Sequence, residues 1–106
     1  MTGATSGFGR IIAKKRAALG DTVVVLARSK EKAKTLIDEY FAEHPDSEGK
    51  IEIIEGDLGS FQSIVRACKE FKDRYRRLNL LILNAGLMNS SFKETVDGIE
   101  ETLQVN

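Results

Sequence analysis

The sequence predicts an α/β fold with a doubly wound parallel β-sheet. Two observations carry this prediction: short apolar runs rich in β-branched residues alternate with amphipathic segments of a dozen or more residues, and a glycine-rich turn stands directly before the first such segment. Strands that alternate with helices form right-handed βαβ units, whose strands lie parallel in one sheet. The 106 residues are enough for one small domain with one hydrophobic core.

The first half of the chain predicts two helices and a strand. Residues 8–19 carry apolar side chains at helical spacing, and Gly20 ends that helix. Residues 22–27 (TVVVLA) lack polar alternation, which is typical of a strand buried on both faces of a parallel sheet. Ser29 is expected to cap a second helix, which ends near His44 because the next residue is a proline.

The second half continues the alternation. Residues 51–55 predict a short strand, and residues 60–76 a third helix whose apolar stripe places Cys68 on the buried face. Residues 80–83 (LLIL) predict another strand. A last helix is expected to open near Asp97, because Asp97 and Glu100 have the spacing of a capping box variant.

Both ends of the sequence predict an incomplete sheet. Met1 stands directly before the glycine-rich turn, where a domain of this type would first supply a strand. That strand would be central, between the strands of residues 22–27 and 80–83. The chain ends at Asn106, before the last helix buries a full face. We therefore predict that the first strand and the C-terminal half of the fold are missing, and that this chain alone is poorly folded.

Composition and charge exclude several functions. Sixteen basic residues offset sixteen acidic ones, so no net field draws the chain to nucleic acid or to an anionic membrane surface. Cys68 is the only cysteine and His44 the only histidine, so no internal disulfide and no metal site is expected. No membrane-spanning run and no signal peptide is visible, which favours an intracellular, cytoplasmic protein. Membrane association through an anchor outside these residues stays open.

The turn from Thr2 to Gly9 (TGATSGFG) predicts an anion site. Gly3 permits a tight turn, Gly7 lets the backbone approach a pyrophosphate, and Gly9 allows the helix to pack closely. The helix N-terminus supplies free N–H groups. A Walker phosphate loop is excluded, because no Gly-Lys-Ser/Thr follows the turn. Taken alone, however, a glycine-rich turn is also compatible with a plain loop.

The spacing of these glycines resembles the TGxxxGxG turn of the short-chain dehydrogenase/reductase family. Three further segments match that family in the correct order: Asp57-Leu58, Asn84-Ala85-Gly86 and Val105-Asn106. The family's Asn-Asn-Ala-Gly segment begins here with Leu83, so its first asparagine is absent. Arg28 and the segment Asp97-Gly98-Ile99-Glu100 are most similar to the retinol dehydrogenase-like and WW-domain oxidoreductase-like members.

The resemblance implies a partial Rossmann-type domain over residues 1–106 that binds a nicotinamide cofactor. It implies that Asp57 and Leu58 contact the adenine, that the Asn84 segment shapes the adenosine side of the pocket, and that Asn106 is the catalytic asparagine. The cofactor-binding residues implied in full are Gly3, Thr5, Ser6, Gly7, Phe8, Gly9, Arg28, Asp57, Leu58, Asn84, Ala85 and Gly86. A plainer interpretation remains for several of them: Asp57 could end a strand, Asn84 could form a turn, and Asn106 could be a solvated helix residue.

The residues after the second strand favour NADP over NAD. An NAD site usually has an acidic residue about 20 residues beyond the glycines, whereas this chain has Ala27 and then Arg28, with Lys30 and Lys32 nearby. A guanidinium grips a 2′-phosphate with two hydrogen bonds, and no carboxylate repels it here. The alternative is that Arg28 merely begins a solvated helix.

Chemistry in this family uses a tyrosine as general acid/base, a lysine four residues later and a serine. Neither Tyr40 nor Tyr75 has such a lysine. The leading hypothesis is therefore the cofactor-binding part of an oxidoreductase acting on a small alcohol or carbonyl, such as a retinoid or steroid, and inactive alone. The second is a non-catalytic sensor or scaffold, and a Rossmann-like methyltransferase explains fewer of these residues. Homo-oligomerisation of the complete protein stays open.

Overall fold

A computed structural model describes residues 1–106. Along the chain it contains α1 (Gly7–Ala18), β1 (Thr22–Ala27), α2 (Lys30–Glu43), β2 (Lys50–Glu55), α3 (Phe61–Arg74) and α4 (Glu101–Val105). The two strands pair in parallel, with Thr22 opposite Lys50 and Ala27 opposite Glu55. The predicted α/β fold with a parallel sheet is confirmed.

Serine side chains start two of the helices, as expected for residues that accept hydrogen bonds from free N–H groups. The Ser29 hydroxyl accepts from the Lys32 amide at 3.3 Å, and the Ser60 hydroxyl accepts from the Ser63 amide at 3.2 Å. The predicted end of α2 is also confirmed, since His44 caps it directly before Pro45.

The hydrophobic core lies between the sheet and the first two helices. It joins Ala13 and Ala17 of α1, Val25 of β1, and Leu36 and Tyr40 of α2, all fully buried. On the other face of the sheet, α3 packs against β2. Helices therefore cover both faces, which is the layering of a doubly wound sheet.

Burial along β1 differs from the prediction of a strand buried on both faces. Val23, Val25 and Ala27 are buried, whereas Val24 and Leu26 are half-buried. The buried side chains face α1 and α2. Those on the opposite face have only α3 nearby, because α3 lies over β2 rather than over β1.

The prediction that Cys68 is buried was wrong. Cys68 is exposed, and the buried residues of α3 are Ser63 and Ala67. Because α3 contacts the sheet mainly through β2, only a narrow line of the helix is covered. Phe61 and Val65, which belong to the same predicted apolar stripe as Cys68, are exposed by 51% and 68%.

Met1 and Thr2 lie beside β1, in the position that the first strand of a doubly wound sheet would take. The Met1 carbonyl accepts from the Leu26 amide at 2.9 Å, and Thr2 forms an isolated parallel bridge with Leu26. On its other side, the Thr2 amide donates to the Ile82 carbonyl at 3.1 Å. The lateral order is therefore β2, β1, Thr2 and the segment around Ile82, as the doubly wound order requires.

The strand predicted for residues 80–83 does not form. That segment is irregular, and the bond from Thr2 to Ile82 is its only backbone hydrogen bond. A strand needs a ladder of such bonds, and only Thr2 lies alongside. Leu81 and Leu83 are accordingly exposed by 58% and 77%.

Hydrogen exchange should separate these two parts of the sheet. We expect the amides of residues 80–83 to exchange at rates near those of a free peptide, because none of them donates a hydrogen bond. Amides inside the β1–β2 ladder should exchange at least about tenfold more slowly, since each opening disrupts the core. Exchange followed by NMR at neutral pH measures both sets, and equal rates in the two sets would contradict the structure.

The last helix begins later than predicted. Its N-cap is Glu100, whose carboxylate accepts from the amides of Thr102 and Leu103 at 3.1 and 2.8 Å. Gly98 adopts a φ of +73°, which interrupts any helix that starts at Asp97. Asp97 instead accepts a hydrogen bond from the Phe61 amide at 2.7 Å, at the start of α3. None of the helices has both the length and the apolar character needed to cross a bilayer.

Candidate functional site

The glycine-rich turn connects the bridge at Thr2 to the start of α1. Gly3 and Gly7 have φ values of +66° and +51°, a region that L side chains rarely adopt. Gly9 is buried in the first turn of α1, and a Cβ added there would lie 2.0 Å from the Gly3 carbonyl oxygen. The turn and the helix thus approach each other more closely than any side chain would allow.

The N-terminus of α1 has free hydrogen-bond donors. Its N-cap, Ser6, makes no side-chain cap, and the first turn contains no acidic residue. Within α1, the Arg10 amide is the first that donates to an acceptor in the chain. The amides of Gly7, Phe8 and Gly9 have no such acceptor. Unpaired N–H groups and the helix dipole together favour an anion at this position. Ser6 and Phe8 are exposed, and Thr5 is half-buried.

The Asn84 segment lies against the glycine-rich turn. The Asn84 side-chain amide donates to the carbonyl oxygens of Gly3 at 3.0 Å and Thr2 at 3.3 Å. The Thr2 hydroxyl accepts from the backbone amides of Asn84 and Ala85 at 3.2 and 3.0 Å. These four bonds fix the position of the turn, so the Asn84 side chain holds protein backbone in this structure.

Thr2 is a site residue that the sequence reasoning missed. Its hydroxyl joins the glycine-rich turn to the Asn84 segment, although the family resemblance assigns Thr2 no contact. The available signal is a short hydroxyl side chain directly before the turn, since such side chains readily bond to backbone groups.

Asp57 and Leu58 follow β2 at the same edge of the sheet. The Asp57 carboxylate accepts from the Gly59 amide at 2.9 Å through Oδ1, and its own amide donates to the Ser63 hydroxyl at 2.9 Å. The first bond is an Asx-turn, so part of Asp57's role is local. Its second carboxylate oxygen has no hydrogen-bond partner in the chain.

Arg28 follows β1 and is exposed with no ion pair. Lys32 is likewise unpaired, whereas Lys30 pairs with Glu55 at 3.0 Å. Hydrogen bonds from Asn89 and Lys93 lower the pKa of Glu101, and the charge of Arg28 adds to this effect. The guanidinium is therefore within electrostatic reach of α4 and free to bind an anion.

Asn106 is joined to the segment that follows Gly86. Its Oδ1 accepts from the Leu87 amide, and its Nδ2 donates to the Leu87 carbonyl, both at 2.8 Å. The side-chain amide of Asn106 thus binds both the N–H and the carbonyl of one residue, Leu87. Asn106 itself is exposed.

The predicted site residues gather at the carboxyl edge of the sheet. The glycine-rich turn, Arg28, Asp57 and the Asn84 segment each come directly after a strand or after the segment that aligns with one. Ligands of open α/β sheets bind at this edge. A surface depression of about 470 Å³ lies at the opposite edge, between the end of α1 and the loop after α2, and contains none of them.

Comparison with known proteins supports one family. A profile described as short chain dehydrogenase matches residues 1–106. The chain is 35% identical over its whole length to the short-chain dehydrogenase/reductase prx1 of Penicillium rubens, of which it covers 30%. It is 32% identical over its whole length to a WW domain-containing oxidoreductase of Drosophila melanogaster, covering 26% of that protein.

Two further matches concern a steroid enzyme and a cofactor complex. Over 83% of its length, the chain is 37% identical to human 3-keto-steroid reductase/17-beta-hydroxysteroid dehydrogenase 7, covering 26% of it. A metagenomic short-chain oxidoreductase solved in complex with NADP superposes with a TM-score of 0.71 at 32% identity, over 81% of this chain and 37% of that one. The chain thus spans less than a third of the curated relatives it matches.

Proposed function

Since the chain belongs to the short-chain dehydrogenase family, we propose that residues 1–106 are the cofactor-binding part of an NADP-dependent oxidoreductase. The complete protein would transfer hydride between NADP(H) and an alcohol or carbonyl. The observation that carries this proposal is the set of three unpaired amides at Gly7, Phe8 and Gly9, beside the open space at Gly7.

The pyrophosphate would lie at the N-terminus of α1. Main-chain donors there have no acceptor in the chain to give up, and the helix dipole favours the negative charge. Gly7 has no atom within 4 Å of the position of an added Cβ, so the space beside it is open to a ligand. Thr5 and Ser6 would contribute backbone amides and hydroxyls at the rim.

The 2′-phosphate would be bound by Arg28. Its guanidinium has no partner to give up, and Ala27 before it brings no negative charge. Lys32 adds a second unpaired cation nearby. The solved relative in complex with NADP supports a phosphorylated cofactor for proteins of this kind.

The adenine would lie between Asp57-Leu58 and the segment Asn84-Ala85-Gly86. The unpaired carboxylate oxygen of Asp57 would accept a hydrogen bond from the exocyclic amine of the adenine. Asn84 would act indirectly, since its side chain is committed to the backbone of Gly3 and Thr2.

Hydride transfer would require groups that these 106 residues do not place at the site. NADPH, when bound, supplies the hydride. Tyr40 is fully buried in the core against Ser47, and Tyr75 donates its hydrogen bond to Glu52. Burial first, and then the Glu52 carboxylate, raise the pKa of Tyr75 to about 12, so it is a poor proton donor at neutral pH. We therefore propose Asn106 as the one catalytic-centre residue in this chain, acting on the backbone of Leu87.

The substrate class we propose is a lipophilic carbonyl or alcohol, such as a steroid or retinoid. Support comes from the name of the human relative, a 3-keto-steroid reductase, with 37% identity over 90 residues. The second candidate function is a non-catalytic NADP(H) sensor or scaffold. It would use the same cofactor-binding groups as the oxidoreductase.

Titration with NADPH tests the proposal. We expect saturable binding by the complete protein, with the largest amide shifts at Gly7, Phe8 and Gly9, and no NADPH oxidation by the 106-residue chain alone with steroid, retinal or aliphatic ketones. Calorimetry and NMR measure the binding, and absorbance measures the oxidation. NADPH that bound without shifting these three amides would contradict the assigned pyrophosphate site.

A polypeptide extended beyond Asn106 separates the two candidate functions. Ketone-dependent NADPH oxidation by the extended protein would support the oxidoreductase. Binding with no turnover of any of these ketones would instead support the sensor.

A further inference from the structure

Two side-chain amides on α4 reach the two cofactor-side segments separately. Asn106 holds Leu87, after the Asn84 segment. Gln104 extends the other way, toward the turn that contains Asp57 and Leu58. Gln104 was not among the residues that the sequence singled out.

Gln104 is the centre of a small hydrogen-bond network. Its Nε2 donates to the Asp97 carboxylate at 2.7 Å and to the Leu58 carbonyl at 3.4 Å. Its Oε1 accepts from the Thr95 hydroxyl at 2.5 Å. Both atoms of the amide are therefore used, and the side chain is half-buried.

The same carboxylate extends the network to the start of α3. Asp97 Oδ2, which accepts from Gln104, also accepts from the Phe61 amide at 2.7 Å. From the other side, the Ser63 hydroxyl accepts from the Asp57 amide at 2.9 Å. The turn of residues 57–60 is thus held on the sheet side by α3 and on the outer side by Gln104 and Asp97.

We propose that Gln104 is a positioning residue for the adenine side of the site, holding the Asp57-Leu58 turn at a fixed distance from α4. This inference rests on the proposed cofactor function. Gln104 acts through donation from Nε2 to Leu58 and Asp97, so it need not touch the cofactor. It has no bond to the glycine-rich turn, so pyrophosphate binding does not depend on it.

Two variants whose side chains are similar in length to glutamine separate the effect of hydrogen-bond donation from the effect of packing. Gln104→Met removes every hydrogen bond of the side chain, whereas Gln104→Lys keeps a donor that reaches Asp97 and Leu58. Leu103→Ala is the matched control, because Leu103 is on the same helix and is exposed by 75%. The probes are 2′,5′-ADP, which occupies the adenine side, and tripolyphosphate, which needs only the glycine-rich turn.

In the complete protein, we expect Gln104→Met to bind 2′,5′-ADP about tenfold more weakly than the parent, because the side chain loses its three hydrogen bonds, with unchanged affinity for tripolyphosphate. Gln104→Lys and Leu103→Ala should stay within about threefold of the parent for both probes. Calorimetry in one buffer measures all eight dissociation constants.

Three results would overturn the positioning role. One is unchanged binding of 2′,5′-ADP by Gln104→Met, and the second is an equal loss for both probes, which would mean general destabilisation. The third is a loss in Gln104→Lys as large as in Gln104→Met. A complete parent protein that binds no 2′,5′-ADP would instead overturn the proposed function itself.

Discussion

Replacing Arg28 with aspartate should invert the cofactor preference. In the complete parent protein we expect NADPH to bind about tenfold more tightly than NADH, since a charge-assisted hydrogen bond contributes about 1.5 to 3 kcal/mol. In Arg28→Asp the carboxylate repels the 2′-phosphate and accepts from the ribose hydroxyls, so NADPH should bind about 100-fold more weakly while NADH changes little, which leaves NADH as the tighter ligand. The ratio of the two dissociation constants is the measured quantity.

Arg28 is the residue for this test because of its surroundings. It is exposed and makes no ion pair or hydrogen bond, so its replacement breaks neither and leaves no buried charge. The matched control is Lys34→Asp, which makes the same change in net charge on the outer surface of α2, where Lys34 pairs with Asp38 at 2.6 Å. An equal loss of NADPH affinity in both variants would show a general field effect. A ratio of the NADPH and NADH dissociation constants near one in the parent would contradict the assignment of the 2′-phosphate to Arg28.

Salt provides an independent check of the same assignment. Arg28 is open to solvent, so dissolved salt screens its attraction for the 2′-phosphate. At an ionic strength of 0.15 M the Debye length is about 8 Å. The preference of the parent for NADPH should therefore shrink as salt rises, and the preference of Arg28→Asp for NADH should shrink as well.

Local chemistry explains which elements the sequence predicted correctly. Ser29 and Ser60 start helices because their hydroxyls accept from free amides, and Pro45 ends α2 because it disfavours helical geometry before it. The TVVVLA run forms β1 with the bounds expected, since its β-branched side chains suit a covered sheet. These features depend on a few neighbouring residues, which a sequence displays directly.

The predictions that were wrong, and the contacts that were missed, concern residues whose secondary structure, burial or hydrogen bonds depend on partners distant in the sequence. The segment of residues 80–83 has strand propensity, yet only Thr2 lies beside it, and propensity alone does not form a ladder. Cys68 lies on an apolar stripe that is wider than the part of α3 covered by β2. The roles of Thr2 and Gln104 depend on contacts across 82 and 46 residues, which one sequence without its fold does not reveal.

A single methyl group added at Gly9 should lower both the stability and the cofactor affinity. In an ordinary helix, alanine is more stable than glycine by about 1 kcal/mol, so propensity alone predicts that Gly9→Ala stabilises the chain. At this position the added Cβ would lie 2.0 Å from the Gly3 carbonyl oxygen and 2.4 Å from the Asn84 side-chain nitrogen. The first of these atoms is backbone and the second is hydrogen-bonded to it, so neither moves without displacing the turn.

Gly9→Ala should therefore have the opposite sign to that predicted by propensity. We expect it to lower the free energy of unfolding by about 1 to 3 kcal/mol, as overpacking does elsewhere, and to weaken NADPH binding at least about 100-fold, because α1 must move away from the turn that shapes the pyrophosphate site. Gly20→Ala is the matched control, with NADPH binding expected to stay unchanged: its Cβ meets nothing within 4 Å, it follows the far end of α1, and only the φ of +95° opposes it, at about 1 to 2 kcal/mol. Urea unfolding and NADPH titration of both variants give the two quantities. A Gly9→Ala chain as stable as the parent would mean that the turn and helix are not in the contact that the proposed site requires.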